Sequence, residues 1–168
     1  AVDPHYQILP GTHGQGPNSI VEDSANFPIV AGPWVANSNE SKWIGPVLNT
    51  GASPAGLYEY ELTFDLSGLV PETAVITGDW ASDDGGVDIF LNGVATGNPN
   101  GGFGSLVPFL IDDGFVPGVN SLVFQLNNGA TGFTGLRVEN IHGTAANAPE
   151  PASLAIWIAL GIVGIGFR

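Results

Sequence analysis

From Leu57 to Leu66 the chain alternates without a break: Tyr58, Tyr60, Leu62, Phe64 and Leu66 fall on one parity, Glu59, Glu61, Thr63 and Asp65 on the other. A period of two puts successive side chains on opposite faces, so this stretch predicts a half-buried antiparallel strand with its aromatic face turned inward. Thr73 to Ala81 repeats the pattern, with Ala74, Ile76, Gly78 and Trp80 on one face. Val87 to Leu91 runs into Asn92-Gly93, a pair that a type I′ hairpin favours because both central residues need positive φ. Val94 to Thr96 supplies the return strand. Leu106 to Ile111, Asn120 to Asn127 and Thr134 to Ile141 complete the set, with Asp113-Gly114 and Pro117-Gly118 as punctuation. No stretch before Pro149 carries a helical period. Short strands at intervals of roughly 8 to 15 residues predict an all-β fold, an antiparallel β-sandwich.

The two ends read differently. Residues 1–19 hold Pro4, Pro10, Gly11, Gly14, Gly16 and Pro17 with no periodicity, which predicts an extended arm with one edge strand near Tyr6 to Leu9. The sandwich is expected over 20–143, a linker over 144–151 and a hydrophobic C-terminal α-helix over 152–168. From Ala152 to Phe167 there is no charged residue. As a helix this run rises about 24 Å, short of the roughly 30 Å hydrocarbon core of a bilayer. Ala155 and Ala159 stand four apart, and Gly161 and Gly164 three apart, spacings at which helix backbones approach closely. They are the candidate self-association positions.

Composition narrows the function. With Lys+Arg 3 against Asp+Glu 16 the formal net charge is -13, so the cations that phosphate binding needs are missing and a nucleic-acid partner is excluded. Calcium or a basic partner is compatible with that balance. The chain has no cysteine, so disulfides, thiolate metal sites and a Cys nucleophile are ruled out. Its opening, Ala1-Val2-Asp3-Pro4, reads as the mature end left after removal of a secretory leader.

Two resemblances sharpen this picture. Pro149-Glu150-Pro151 directly before the apolar run, with Arg168 behind it, resembles the C-terminal sorting signal of PEP-CTERM proteins, with a single arginine where that family carries a cluster. Members are exported proteins of diderm bacteria handled at the membrane by an exosortase, so the resemblance implies a secreted protein of the cell surface or matrix. The order of Tyr58 to Leu66, Gly78 to Asp83, Asp88 to Gly93, Phe115 to Leu122 and Gly135 to Glu139 is similar to that of a galactose-binding-like jelly roll, over roughly Ile20 to Ile141. Such domains occur in lectin-like modules and glycosidase accessory domains, and the fold alone does not choose among them.

Candidate chemistry is sparse. His5 and His13 sit in the arm without a third ligand, and His142 falls just after the last expected strand. Asp79, Asp83, Asp84 and Asp88 could pair for glycoside hydrolysis, but alternation turns Asp79 and Asp88 to solvent, and Asp83-Asp84-Gly85-Gly86 reads as turn chemistry. No enzymatic site is expected. The galactose-binding-like resemblance implies a structural calcium at Glu22, Asp23 and Glu139, against the alternative of solvated acids. Trp34, Phe103 and Phe133 lie near loop signals and asparagines and are candidate glycan platforms, whereas Trp43 and Trp80 read as core. Together these lead to an exported, non-enzymatic structural protein that forms a homo-oligomer or fibre through its C-terminal helix. The alternative is a carbohydrate-binding module, with extracellular polysaccharide as partner.

Overall fold

The computed structural model describes residues 1–10, 17–22, 24–48 and 51–149. Within them the chain is all-β, with ten antiparallel strands and no helix. In chain order these are β1 (Val2–Ile8), β2 (Asn18–Val21), β3 (Ile44–Gly45), β4 (Gly56–Asp65), β5 (Leu69–Asp83), β6 (Gly85–Leu91), β7 (Val94–Ala95), β8 (Val107–Ile111), β9 (Val119–Asn128) and β10 (Gly135–Asn147). Hydrogen bonding joins them in the order β7-β6-β9-β4-β1-β2-β3-β10-β5-β8.

The alternating stretch becomes β4 and pairs along its whole length with β9, from Gly56↔Asn128 to Asp65↔Val119. Tyr58 and Tyr60 point into the core and are fully buried. On the other face Glu59 accepts a 2.7 Å bond from Gln125 Nε2, and Glu61 a 2.6 Å bond from Ser121 Oγ. A slip of one residue would turn the tyrosines to water and the glutamates inward, so this two-faced pattern fixes the register.

The sheet folds back on itself so that two layers face each other. Phe124 of β9 lies 5.5 Å from Trp80 of β5 and 5.8 Å from Phe109 of β8, both edge-to-face, although neither strand neighbours β9 in the sheet. Ile8, Ile89, Leu122, Leu126 and Leu136 fill the same core. Each such side chain contributes about 1.5–3 kcal/mol when fully buried. A smaller cluster of Ile29, Trp34, Trp43 and Ala81 packs beside it. Trp43 and Trp80 are both fully buried, as their sequence context predicts.

The hairpin forms where Asn92-Gly93 places it: φ is 51° at Asn92 and 82° at Gly93, and Leu91 pairs with Val94. The Asn92 amide also donates to the Gly114 carbonyl (3.0 Å) and to Asn120 Oδ1 (2.9 Å). The hairpin is thereby tied to the turn that launches β9. At the far end of the sheet, Asn98 bonds both main-chain groups of Leu110 on the outer strand β8, Nδ2 donating to its carbonyl at 3.1 Å and Oδ1 accepting its N–H at 3.4 Å.

Three elements are longer or deeper than the sequence pattern predicts. The N-terminal stretch is no peripheral arm: β1 lies inside the sheet between β2 and β4, with Val2↔Ile20 and Ile8↔Tyr60 as partners. Asp3 Oδ1 accepts the N–H groups of His5 and Tyr6, each at 2.9 Å, and so satisfies the irregularity around Pro4. β5 runs on to Asp83, and β10 continues to Asn147, where Ala146↔Val70 and Asn147↔Leu69 hold residues expected in a linker. The hydrophobic helix expected over 152–168, with Ala155, Ala159, Gly161 and Gly164, lies outside the described residues, as do Glu150 and Pro151. Among the described residues no helix is long and apolar enough to cross a membrane.

Candidate functional site

The loop ahead of β3 carries Trp34 inward. Its ring lies 4.1 Å from that of Trp43, tilted by 33°, and its indole N–H donates a 2.7 Å bond to Asp83 Oδ2. Trp34 is only 3% exposed, so it is no glycan platform. Its neighbours explain why: the Trp43 indole N–H caps the Val35 carbonyl at 2.8 Å, and the Trp43 main-chain N–H is held by Asn37 Oδ1 at 2.8 Å, which folds the loop over both rings. Phe103 and Phe133 are half-buried against the same cluster. Among the described residues the exposed aromatic is Phe27, 54% accessible and edge-to-face with Phe133 at 5.2 Å. Sequence reasoning passed it over; its only signal is the Asn26-Phe27-Pro28 loop context.

Asp83 is buried, and the expectation of a solvated turn fails at this residue. Burial pushes its carboxyl up to about 7, the Trp34 bond pulls it down, and the adjacent Asp84 raises it further. Thr134 Oγ1 donates to the Asp83 carbonyl at 2.7 Å, and Asp84 Oδ2 accepts the Gly129 N–H at 2.7 Å. The end of β5 is thus sewn to the loop before β10. Asp88, expected at solvent, instead accepts the N–H groups of Ile89 (2.7 Å), Gly97 (3.1 Å) and Asn98 (2.7 Å), and Asp79 accepts from Asn140 Nδ2 at 3.1 Å. Of the four aspartates in the DxxxDD…D stretch, Asp79 and Asp88 thus serve separate contacts, whereas the carboxyls of Asp83 and Asp84 interact with each other.

Glu139, itself part-buried, pairs with a buried arginine. Arg137, 2% exposed, reaches Glu139 Oε2 at 3.0 Å, Ser41 Oγ at 2.9 Å and the carbonyl of Ala36. Ser38 Oγ donates to the other Glu139 oxygen at 2.5 Å. Both carboxylate oxygens of Glu139 are engaged. Glu22 is also buried, with its N–H on the Trp43 carbonyl at 2.9 Å, and its charge adds to burial in raising the Tyr60 hydroxyl well above its usual range. Asp23 lies outside the described residues. Among the described residues no group of three His, Cys, Asp or Glu side chains stands close enough to hold a metal ion.

A further feature is a cleft between β4 and β10. A cavity of 280 Å³ is lined by Leu62, Phe64, Leu69, Ile76, Ile141 and Ala145, among others, on the side where β10 leaves the domain. A second cavity of 470 Å³ shares Leu62 and Ile141 with it and continues toward Tyr6 of β1. No family model, curated protein or solved structure matches the chain.

Proposed function

We propose that this chain is an exported, non-enzymatic structural protein of the cell surface or extracellular matrix, whose copies associate through the hydrophobic segment 152–168. The observation that carries the reading is a contrast within one chain. An acidic β domain, part of a chain of formal net charge -13, ends at Asn147, and after Pro149-Glu150-Pro151 come the uncharged residues Ala152 to Phe167. Nine large apolar side chains in that run would gain about 14 to 27 kcal/mol on full burial, an upper bound. Left in water they drive association. The Pro-Glu-Pro motif supports handling by an exosortase in a diderm bacterium, and the strand pairing of residues 56–147 is compatible with a galactose-binding-like jelly roll. The test is sedimentation of the full chain beside a chain lacking Ala152 to Arg168. The full chain should sediment as an assembly and the truncated one as a monomer; an unchanged assembly after truncation removes the tail from the explanation.

A second reading, carbohydrate binding, is favoured by one observation, the exposed Phe27 ring braced on Phe133. It predicts retention on a glycan array that Phe27→Ala abolishes. An array with no retained glycan ends that reading.

A further inference from the structure

β4 and β10 border a gap in the sheet. β1 pairs with β4 only at Tyr60 and Glu61, and β3 with β10 only at Leu136. Beyond these points, among the described residues, Leu62 to Asp65 pair on one side only, with β9, and Val138 to Asn147 on one side only, with β5. The floor of the gap is the apolar cleft described above, where Leu62, Phe64, Ile76 and Ile141 face a cavity of 280 Å³. Two strand edges over an apolar floor are what an added strand requires: main-chain bonds give affinity, and alternate side chains enter the pockets.

The same chain supplies a segment of that pattern. From Leu154 to Ile162 large aliphatic residues take every second position, Leu154, Ile156, Ile158, Leu160 and Ile162, and Ala155, Trp157, Ala159 and Gly161 fall between them. In a strand, the five branched side chains share one face. The link to β10 argues against folding back. Ala148 and Glu150 each precede a proline and are biased to extended backbone, while Pro149 and Pro151 have fixed φ. A two-residue type I′ hairpin on β10 would need positive φ at both central residues, which proline cannot adopt. Docking into the cleft of a second copy needs no such reversal.

We infer that residues 154–162 of one copy dock as an added strand in the β4–β10 cleft of a second copy. The inference rests on the tail-mediated association proposed above and specifies its contact as strand on sheet, in place of the helix contact expected from the Ala155/Ala159 and Gly161/Gly164 spacings. Because tail and cleft are different surfaces, each contact is heterologous: it repeats into an open filament wherever neither a ring nor a reciprocal exchange of two tails closes it.

The chain has no cysteine, so engineered thiols report without background. Full-length Ala145→Cys copies are mixed with full-length Ile156→Cys copies and oxidised. A disulfide-linked heterodimer is expected, and adding Ile141→Glu to the Ala145→Cys copy should cut its yield about tenfold or more, since a charge is placed in the apolar cleft. Circular dichroism checks that this variant is folded; if it is not, Thr144→Trp, at an exposed position on the same strand, serves as the blocking change. Intramolecular links alone in an Ala145→Cys/Ile156→Cys chain would overturn the inference in favour of self-docking. Links only between Ile156→Cys copies would overturn it while leaving tail-mediated association standing. A native chain that sediments as a monomer would defeat both readings.

Discussion

The indole N–H of Trp34 donates to Asp83 Oδ2 at 2.7 Å, joining the loop ahead of β3 to the end of β5. The bond holds a carboxyl in a site only 5% exposed, and burial raises its pKa from 3.8 to about 7. Because the folded value lies above the unfolded one, the folded state binds this proton more tightly. The stability so contributed is complete below pH 3.8, falls as pH rises, and is gone above about 7. Asp83→Asn keeps a neutral side chain at every pH, so its melting temperature should climb relative to the native chain between about pH 4 and pH 7. A difference that stays constant across that window would show that Asp83 does not titrate there.

Arg137 and Glu139 predict a larger effect at constant pH. Arg137→Met leaves Glu139 with one partner fewer in a part-buried site and strands the Ala36 carbonyl. Breaking a buried pair costs about 3–5 kcal/mol, read as a lower urea midpoint. Arg137→Lys should recover little, because the guanidinium bonds Ser41, Ala36 and Glu139 in three directions that one ammonium cannot copy. Full recovery by lysine would mean that charge alone matters there.

Gly86 and its neighbour make a matched pair. A Cβ at Gly86 would lie 2.6 Å from Asn100 Cβ and collide with the Trp80 ring, whereas one at Gly85 meets nothing within 4 Å. Gly86→Ala should therefore cost about 1–3 kcal/mol or more, and Gly85→Ala stay within about 0.5 kcal/mol. Equal thermal shifts for the two would contradict the packing of β6 on Trp80.

Asn120 holds the turn into β9. It is fully buried, donates to the carbonyls of Val116 (2.8 Å) and Gly118 (2.9 Å), and accepts from the Val116 N–H (2.9 Å). Asn120→Ala strands these groups at about 1–3 kcal/mol each where they stay buried, and hydrogen exchange at Val116 should accelerate along with global destabilisation. An Asn120→Asp variant of native stability would show that the donated bonds are dispensable.

The strands that the sequence made legible are those with local instructions. Tyr58 to Leu66 alternates over its whole length, and Asn92-Gly93 encodes its own turn. β1 escaped because its partners, Ile20 and Tyr60, are distant and Pro4 breaks its pattern. Asp83 escaped for a related reason: Asp-Asp-Gly-Gly is turn chemistry, and its burial comes from Trp34, 49 residues away. Trp34, read as a glycan platform from nearby loop signals and asparagines, is captured by that same long-range bond. The cleft was invisible to pattern reading altogether, since Ile141 and Phe64 look like ordinary inward residues until the gap between β4 and β10 is known.

Asn98 imitates, with one side chain, the residue of a neighbouring strand that β8 lacks, and β7 at the opposite end is only two residues long. Exposed sheet edges are the usual template for amyloid-like fusion. With both outer edges so blunted, crowded copies have little means of zipping together along β7 or β8. However closely packed, each domain keeps its own identity along those edges instead of dissolving into a common sheet.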